Sequence, residues 1–116
     1  MEYSFITVAE TQPFQRKVVQ LLSDAEKTEL IAYLSAHPSA GILIKGTGGI
    51  RKLRWARGGR GKSGGVRIIY YFHSHQMPLY LLALFGKNER VNISMEEKNT
   101  LARLVRQLVD FWSQKR

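Results

Sequence analysis

The chain has 116 residues, 44% of them apolar and 23% charged, with no cysteine and a formal net charge of +9. That length fits one domain, residues 1–116, with one modest core and no room for a second catalytic unit. Without cysteine there is no disulfide framework, no thiolate catalysis and no cysteine-rich zinc site, and the cytoplasm is the expected compartment. The longest apolar run, residues 77–85, falls well short of the roughly 20 residues that cross a bilayer. Glu2 and the lack of a basic leading segment are unlike a signal peptide, so no membrane partner is expected.

Residues 3–8 alternate aromatic or β-branched with polar residues, which predicts an opening strand. Thr11 can cap a first helix with Pro13 in its first turn, and Phe14, Val18, Leu21 and Leu22 recur at helical spacing. Ser23-Asp24-Ala25-Glu26 reads as a capping box for a second helix with Leu30, Ile31, Tyr33 and Leu34 on its apolar stripe, stopped at Pro38. Strands are then predicted at 42–45, 50–56, 66–72 and 79–85, separated by glycine-rich or polar turns. Ser94-Met95-Glu96-Glu97 is a second capping box, opening an amphipathic helix that carries Leu101, Leu104, Val105, Leu108, Phe111 and Trp112. The pattern, summarised as β-α-α-β-β-β-α, indicates an α+β fold. An antiparallel sheet is expected, with two N-terminal helices on one face and a C-terminal helix. Period-2 alternation puts Lys52, Arg54 and Arg67 together, on a side of the sheet expected to be uncovered.

The charge is concentrated. Between residues 30 and 88 there is no carboxylate, yet the stretch holds Lys45, Arg51, Lys52, Arg54, Arg57, Arg60, Lys62, Arg67 and Lys87. These are nine of the 18 basic residues against none of the nine acidic ones, so all the excess lies in one segment. Such a field attracts a polyanion, nucleic acid first and an acidic protein second. Gly61-Lys62-Ser63 looks like the end of a phosphate-binding loop, but the glycine that motif needs at position 56 is Ala, and a strand follows instead of a helix. His73 and His75 lie two apart near a turn with only the distant His37 as a third candidate ligand, so no metal site is expected.

Three segments carry a resemblance. Lys45-Gly46-Thr47-Gly48-Gly49-Ile50-Arg51-Lys52-Leu53-Arg54, then Gly65-Val66-Arg67-Ile68-Ile69-Tyr70-Tyr71, then Phe85-Gly86-Lys87-Asn88-Glu89 resemble the RelE/ParE toxin superfamily in order and spacing. The last segment is most similar to the HigB branch. The resemblance implies the toxin of a type II toxin–antitoxin system, a metal-independent endoribonuclease that cuts mRNA on the ribosome and inhibits translation. It needs no cofactor. It implies a cognate antitoxin, the ribosome and mRNA as partners, with operator DNA a further candidate ligand of the toxin–antitoxin complex.

The implied chemistry is attack of a ribose 2′-OH on the neighbouring phosphate, which requires a base, cations for the phosphoryl oxygens and an acid for the departing 5′-oxygen. Carried over by position, the resemblance makes Lys52 the base-side lysine and Arg54 and Arg67 the phosphate clamp, with Lys87 and Asn88, at the end of the last strand, as further catalytic candidates. Lys45, Arg51, Arg57, Arg60, Lys62 and Tyr71 would bind RNA or ribosome. Asn88 stands where the family has an arginine in the acid role, and Ser94 where it has a base-stacking tyrosine. Lys87, Arg57 or a ribosomal group would then supply the proton, and Tyr71 or Trp55 the stacking surface. Two other readings stay open: a ParE-like toxin acting on gyrase without cutting RNA, and a noncatalytic nucleic-acid-binding module.

Overall fold

The computed structural model describes residues 5–55, 65–86, 89 and 93–114. In chain order the elements are β1 (Val8–Glu10), α1 (Gln12–Leu21), α2 (Asp24–Ala36), β2 (Ile42–Leu43), β3 (Ile50–Trp55), β4 (Val66–Tyr71), β5 (Leu79–Phe85) and α3 (Met95–Ser113). Two-residue β2, shorter than the strand expected at 42–45, pairs with β3, so the order holds the fourth of these strands, which β-α-α-β-β-β-α leaves out. The five strands form one sheet in the order β1-β5-β4-β3-β2. It is mixed and not wholly antiparallel: β1 runs parallel to β5, with Val8 opposite Leu79 and Glu10 opposite Leu81. The opening strand therefore begins where its expected span ends, because the pairing edge offered by β5 selects residues 8–10.

Both capping boxes form. Ser23 accepts from the Glu26 amide at 3.1 Å while the Ser23 amide donates to Glu26 at 2.8 Å, and Ser94 and Glu97 repeat the exchange at 3.1 and 2.9 Å. Each box satisfies two amide donors that a helix start leaves without partners. Thr11 holds the N-cap position of α1 but caps nothing. Its hydroxyl instead donates to the Leu81 carbonyl at 2.8 Å, tying the helix entry to β5.

The helices cover both faces of the sheet. On one, Phe14 and Val18 of α1 and Leu30 and Leu34 of α2 bury against Ile68, Tyr70, Leu79 and Leu81. On the other, Leu101, Leu104, Val105, Leu108 and Trp112 of α3 pack over Ile50, Ile69, Tyr71 and Leu82. The side expected to lie bare is thus partly roofed by α3, whose apolar stripe needs a surface of its own once α1 and α2 have filled the first face. A register shift between β4 and β5 allows this division: Ile69 faces Ala83 but Tyr70 faces Leu81, so Leu82 is the extra residue of a bulge. Leu81 consequently joins the first core and Leu82 the second.

Two local devices set the position of β3. Thr47, completely buried, donates to the Ile44 carbonyl at 2.7 Å and accepts from the Ile50 amide at 3.1 Å, bracing the turn that opens the strand. Gly48 and Gly49 take φ of 80° and 119° there, backbone that favours glycine. At Gly41 space decides the residue: a Cβ would come within 2.9 Å of the Tyr70 ring and 3.0 Å of the Lys52 carbonyl. That approach lets the Gly41 amide donate to the Tyr70 hydroxyl at 2.8 Å, and the hydroxyl donates to the Pro38 carbonyl at 2.9 Å. Burial pushes the Tyr70 hydroxyl above the ordinary phenol range, partly countered by the Gly41 bond, so it remains a donor.

Candidate nucleic-acid interface

The antiparallel register of β3, β4 and β5 places the cations. Arg54 lies directly opposite Arg67, and Lys52 lies opposite Ile69. Opposite residues share a face, so Lys52, Arg54 and Arg67 emerge on one side of the sheet, as the alternation predicts. Lys52 and Arg54 are separated by about 7 Å of strand, and the diagonal from Lys52 to Arg67 is similar. Among the described residues, none of the three pairs with a carboxylate.

Two arginines opposite each other repel, which a sheet ordinarily avoids. An anion between them converts the repulsion into shared attraction, and the two planar guanidinium forks match phosphate oxygens. Arg54 is exposed while Lys52 and Arg67 are half-buried. All three keep part of their surface open to solvent, where an anion can meet them.

On the far side of Arg67 the surface turns apolar. Arg67 is opposite Phe85 and Ile69 opposite Ala83. Those three apolar residues floor an open cavity of about 330 Å³, walled by Ile93, Thr100 and Leu101 and rimmed by Glu96 and Glu97. The row of cations thus runs into a cleft between the sheet and the start of α3. Sequence reading missed this cleft, since Glu96 and Glu97 register there only as helix-start residues. The adjoining turn is anchored to α1: the Gly86 amide donates to Glu89 Oε1 at 2.7 Å, and Lys17 pairs with Glu89 Oε2. The Lys17 bond, with that amide, holds the Glu89 carboxyl below the ordinary carboxylate range.

Arg51, an expected RNA or ribosome contact, lies apart from the cationic row: it opposes Tyr70, on the α1/α2 face, and its Nη1 donates to the Gly41 carbonyl at 2.7 Å and the Ser39 carbonyl at 3.2 Å. Odd and even positions of one strand face opposite ways, and Arg51 is bound to the 38–41 loop. Tyr71 offers no ring face to RNA, being 4% exposed under α3, with its hydroxyl 3.2 Å from His73 Nδ1. Trp55, the other stacking candidate, is on the face opposite the row, beside Tyr33. Lys45 is exposed at the β2–β3 turn. Arg57, Arg60, Lys62, Lys87 and Asn88 lie outside the described residues.

No group of three or more His, Asp or Glu side chains among the described residues is arranged to hold a metal. No described helix is long and apolar enough to cross a membrane. The chain matches the family model described as the RelE toxin of the RelE/RelB toxin–antitoxin system over residues 9–115. That match begins within β1 and runs past the end of α3. The chain therefore belongs to the RelE toxin family, whose members are the toxin halves of toxin–antitoxin pairs.

Proposed function

We propose that this toxin is a cytoplasmic, ribosome-dependent endoribonuclease of the HigB type that cleaves mRNA at the row formed by Lys52, Arg54 and Arg67. The observation that carries the reading is the direct opposition of Arg54 and Arg67, with Lys52 one diagonal away and no described carboxylate neutralising them. The HigB assignment rests on Gly86-Lys87-Asn88-Glu89 after the last strand.

In this mechanism Lys52, reacting as the free amine, accepts the proton of the ribose 2′-OH as its oxygen attacks phosphorus. Arg54 and Arg67 hold the two non-bridging oxygens, on which charge grows toward the transition state. The bond to the 5′-oxygen breaks, leaving a 2′,3′-cyclic phosphate, and Lys87 supplies the proton to the leaving oxygen with Asn88 orienting the group. The ribosome holds the message in line for attack, so naked RNA should be a poor substrate. Exposed Lys45, with Arg57, Arg60 and Lys62, provides the salt-sensitive attraction to RNA. A cognate antitoxin silences the toxin by covering or distorting the row, and the pair together binds operator DNA.

The test is primer extension on mRNA after induced expression, or on message bound to purified ribosomes. Wild type should give discrete cuts, and Arg67→Ala should lose about 100- to 1,000-fold in rate, the usual consequence of removing one preorganised charge. Unchanged cutting by a folded Arg67→Ala chain would refute the assignment.

A further inference from the structure

A second surface lies on the opposite side of the sheet. His37, Tyr33 and Trp55 form a ladder of rings: Tyr33 stacks on His37 with centroids 4.7 Å apart and planes at 26°, and meets Trp55 at 5.2 Å with the planes tilted by 46°. The ladder is not sealed in the core, since Tyr33 is 36% exposed, His37 is exposed and Trp55 half-buried. Beside it runs an open groove of about 410 Å³ lined by Tyr33, His37, Pro38, Ser39 and Ala40.

The groove is preorganised. The Ala40 amide donates to the His37 carbonyl at 3.1 Å, and the Tyr70 hydroxyl and Arg51 guanidinium hold the carbonyls of Pro38, Ser39 and Gly41 from behind. His37 is itself fixed by two bonds to the Tyr33 carbonyl, one from its amide at 2.8 Å and one at its ring Nδ1 at 3.2 Å. Arg51 thereby brings a fixed positive charge to the loop that walls the groove. Every residue of this surface comes from the stretch between 30 and 88, which has no carboxylate. Trp55 immediately precedes the segment that carries Arg57, Arg60 and Lys62.

Fixed aromatic rings at the start of a basic segment suit an unpaired nucleobase, since every base has a face to stack and a phosphate to neutralise. We infer that the Tyr33–His37–Trp55 ladder is a second RNA-binding surface, which stacks an unpaired base of single-stranded RNA on the side of the sheet away from the cationic row. The inference rests on RNA being this toxin's ligand. It assigns the ladder to holding RNA and gives it no part in cleavage.

The probe is a single-stranded octaribonucleotide containing 2-aminopurine, titrated into the full-length chain. In a Trp112→Phe background Trp55 is the one remaining indole. The oligonucleotide should quench Trp55 emission, Tyr33→Ala and His37→Ala should each weaken binding by about tenfold, and Tyr33→Phe, which keeps the ring, should bind normally. An unchanged affinity in Tyr33→Ala, with its circular dichroism intact, overturns the inference. So does a Tyr33→Ala chain that keeps its RNA affinity and loses the antitoxin, which would make the ladder a protein-docking surface. Arg67→Ala separates the two readings: cuts on ribosome-bound message that vanish in Arg67→Ala, with octamer affinity indifferent to Tyr33, remove the ladder alone, whereas message left intact on ribosomes by the wild-type chain removes the RNA reading on which the ladder rests.

Discussion

The two faces of the sheet are built from the same strands and end up with opposite character. Under α1 and α2 the strands present Ile68, Tyr70, Leu79 and Leu81, all buried and sealed by Phe14, Val18, Leu30 and Leu34. Under α3 the same strands present a buried half, Ile50, Tyr71 and Leu82, and a half at which Lys52, Arg54 and Arg67 emerge beside the roof. Away from the Tyr33–Trp55 edge, the first face is committed to stability. The other divides between stability and charge, because cations under a complete roof would need desolvation that no partner among the described residues offsets.

The largest expected effect falls on the sealed face. Phe14→Ala removes a ring with no exposure, and should lower unfolding stability by about 3–5 kcal/mol in a denaturant titration. A loss under 1 kcal/mol would mean that this face is not the main core. Gly41→Ala comes next: its Cβ would push on Tyr70 and the Lys52 carbonyl, costing about 1–3 kcal/mol as an overpacking change. Because Lys52 is its neighbour across β2 and β3, ribosomal mRNA cleavage should fall as well. Trp112→Phe tests the α3 side, where the indole Nε1 donates to the Tyr80 hydroxyl at 2.8 Å, and about 1 kcal/mol should be lost in the same titration.

Arg54→Gln should separate the two properties of the divided face. Relieving the opposition to Arg67 should raise thermal stability by a few tenths of a kcal/mol, about the size of one cross-strand pair, while cleavage on ribosomes collapses. A stability loss with cleavage intact would reverse the reading of the row. The smallest effect concerns the Lys17–Glu89 pair. Glu89 has its folded-state pKa lowered, so its contribution is present above the ordinary carboxylate range and is lost as pH falls through the lowered value. Glu89→Gln should therefore narrow the stability difference between neutral and acidic solution, measured by thermal melts across that range.

Much of this was legible because it is local. The capping boxes at Ser23 and Ser94 need only residues three apart, and both form. Lys52, Arg54 and Arg67 share a face by alternation, which survives whatever the helices do. Thr11 misleads because its hydroxyl has two partners within reach, and the nearer-looking helix amide loses to the Leu81 carbonyl, 70 residues away. Tyr71 misleads for a related reason: residue type marks it as RNA-binding, while it lies buried beneath α3.

By itself, then, the sequence determined the elements, the concentration of positive charge and the common face of three cations, since propensity, capping and alternation act over a few residues. Only the tertiary structure decided that β1 lies parallel to β5, that a bulge at Leu82 divides the strands between two cores, and that α3 roofs half of the cationic face. Each of those depends on which distant surfaces remain unburied after the others have packed, a competition that local pattern does not encode.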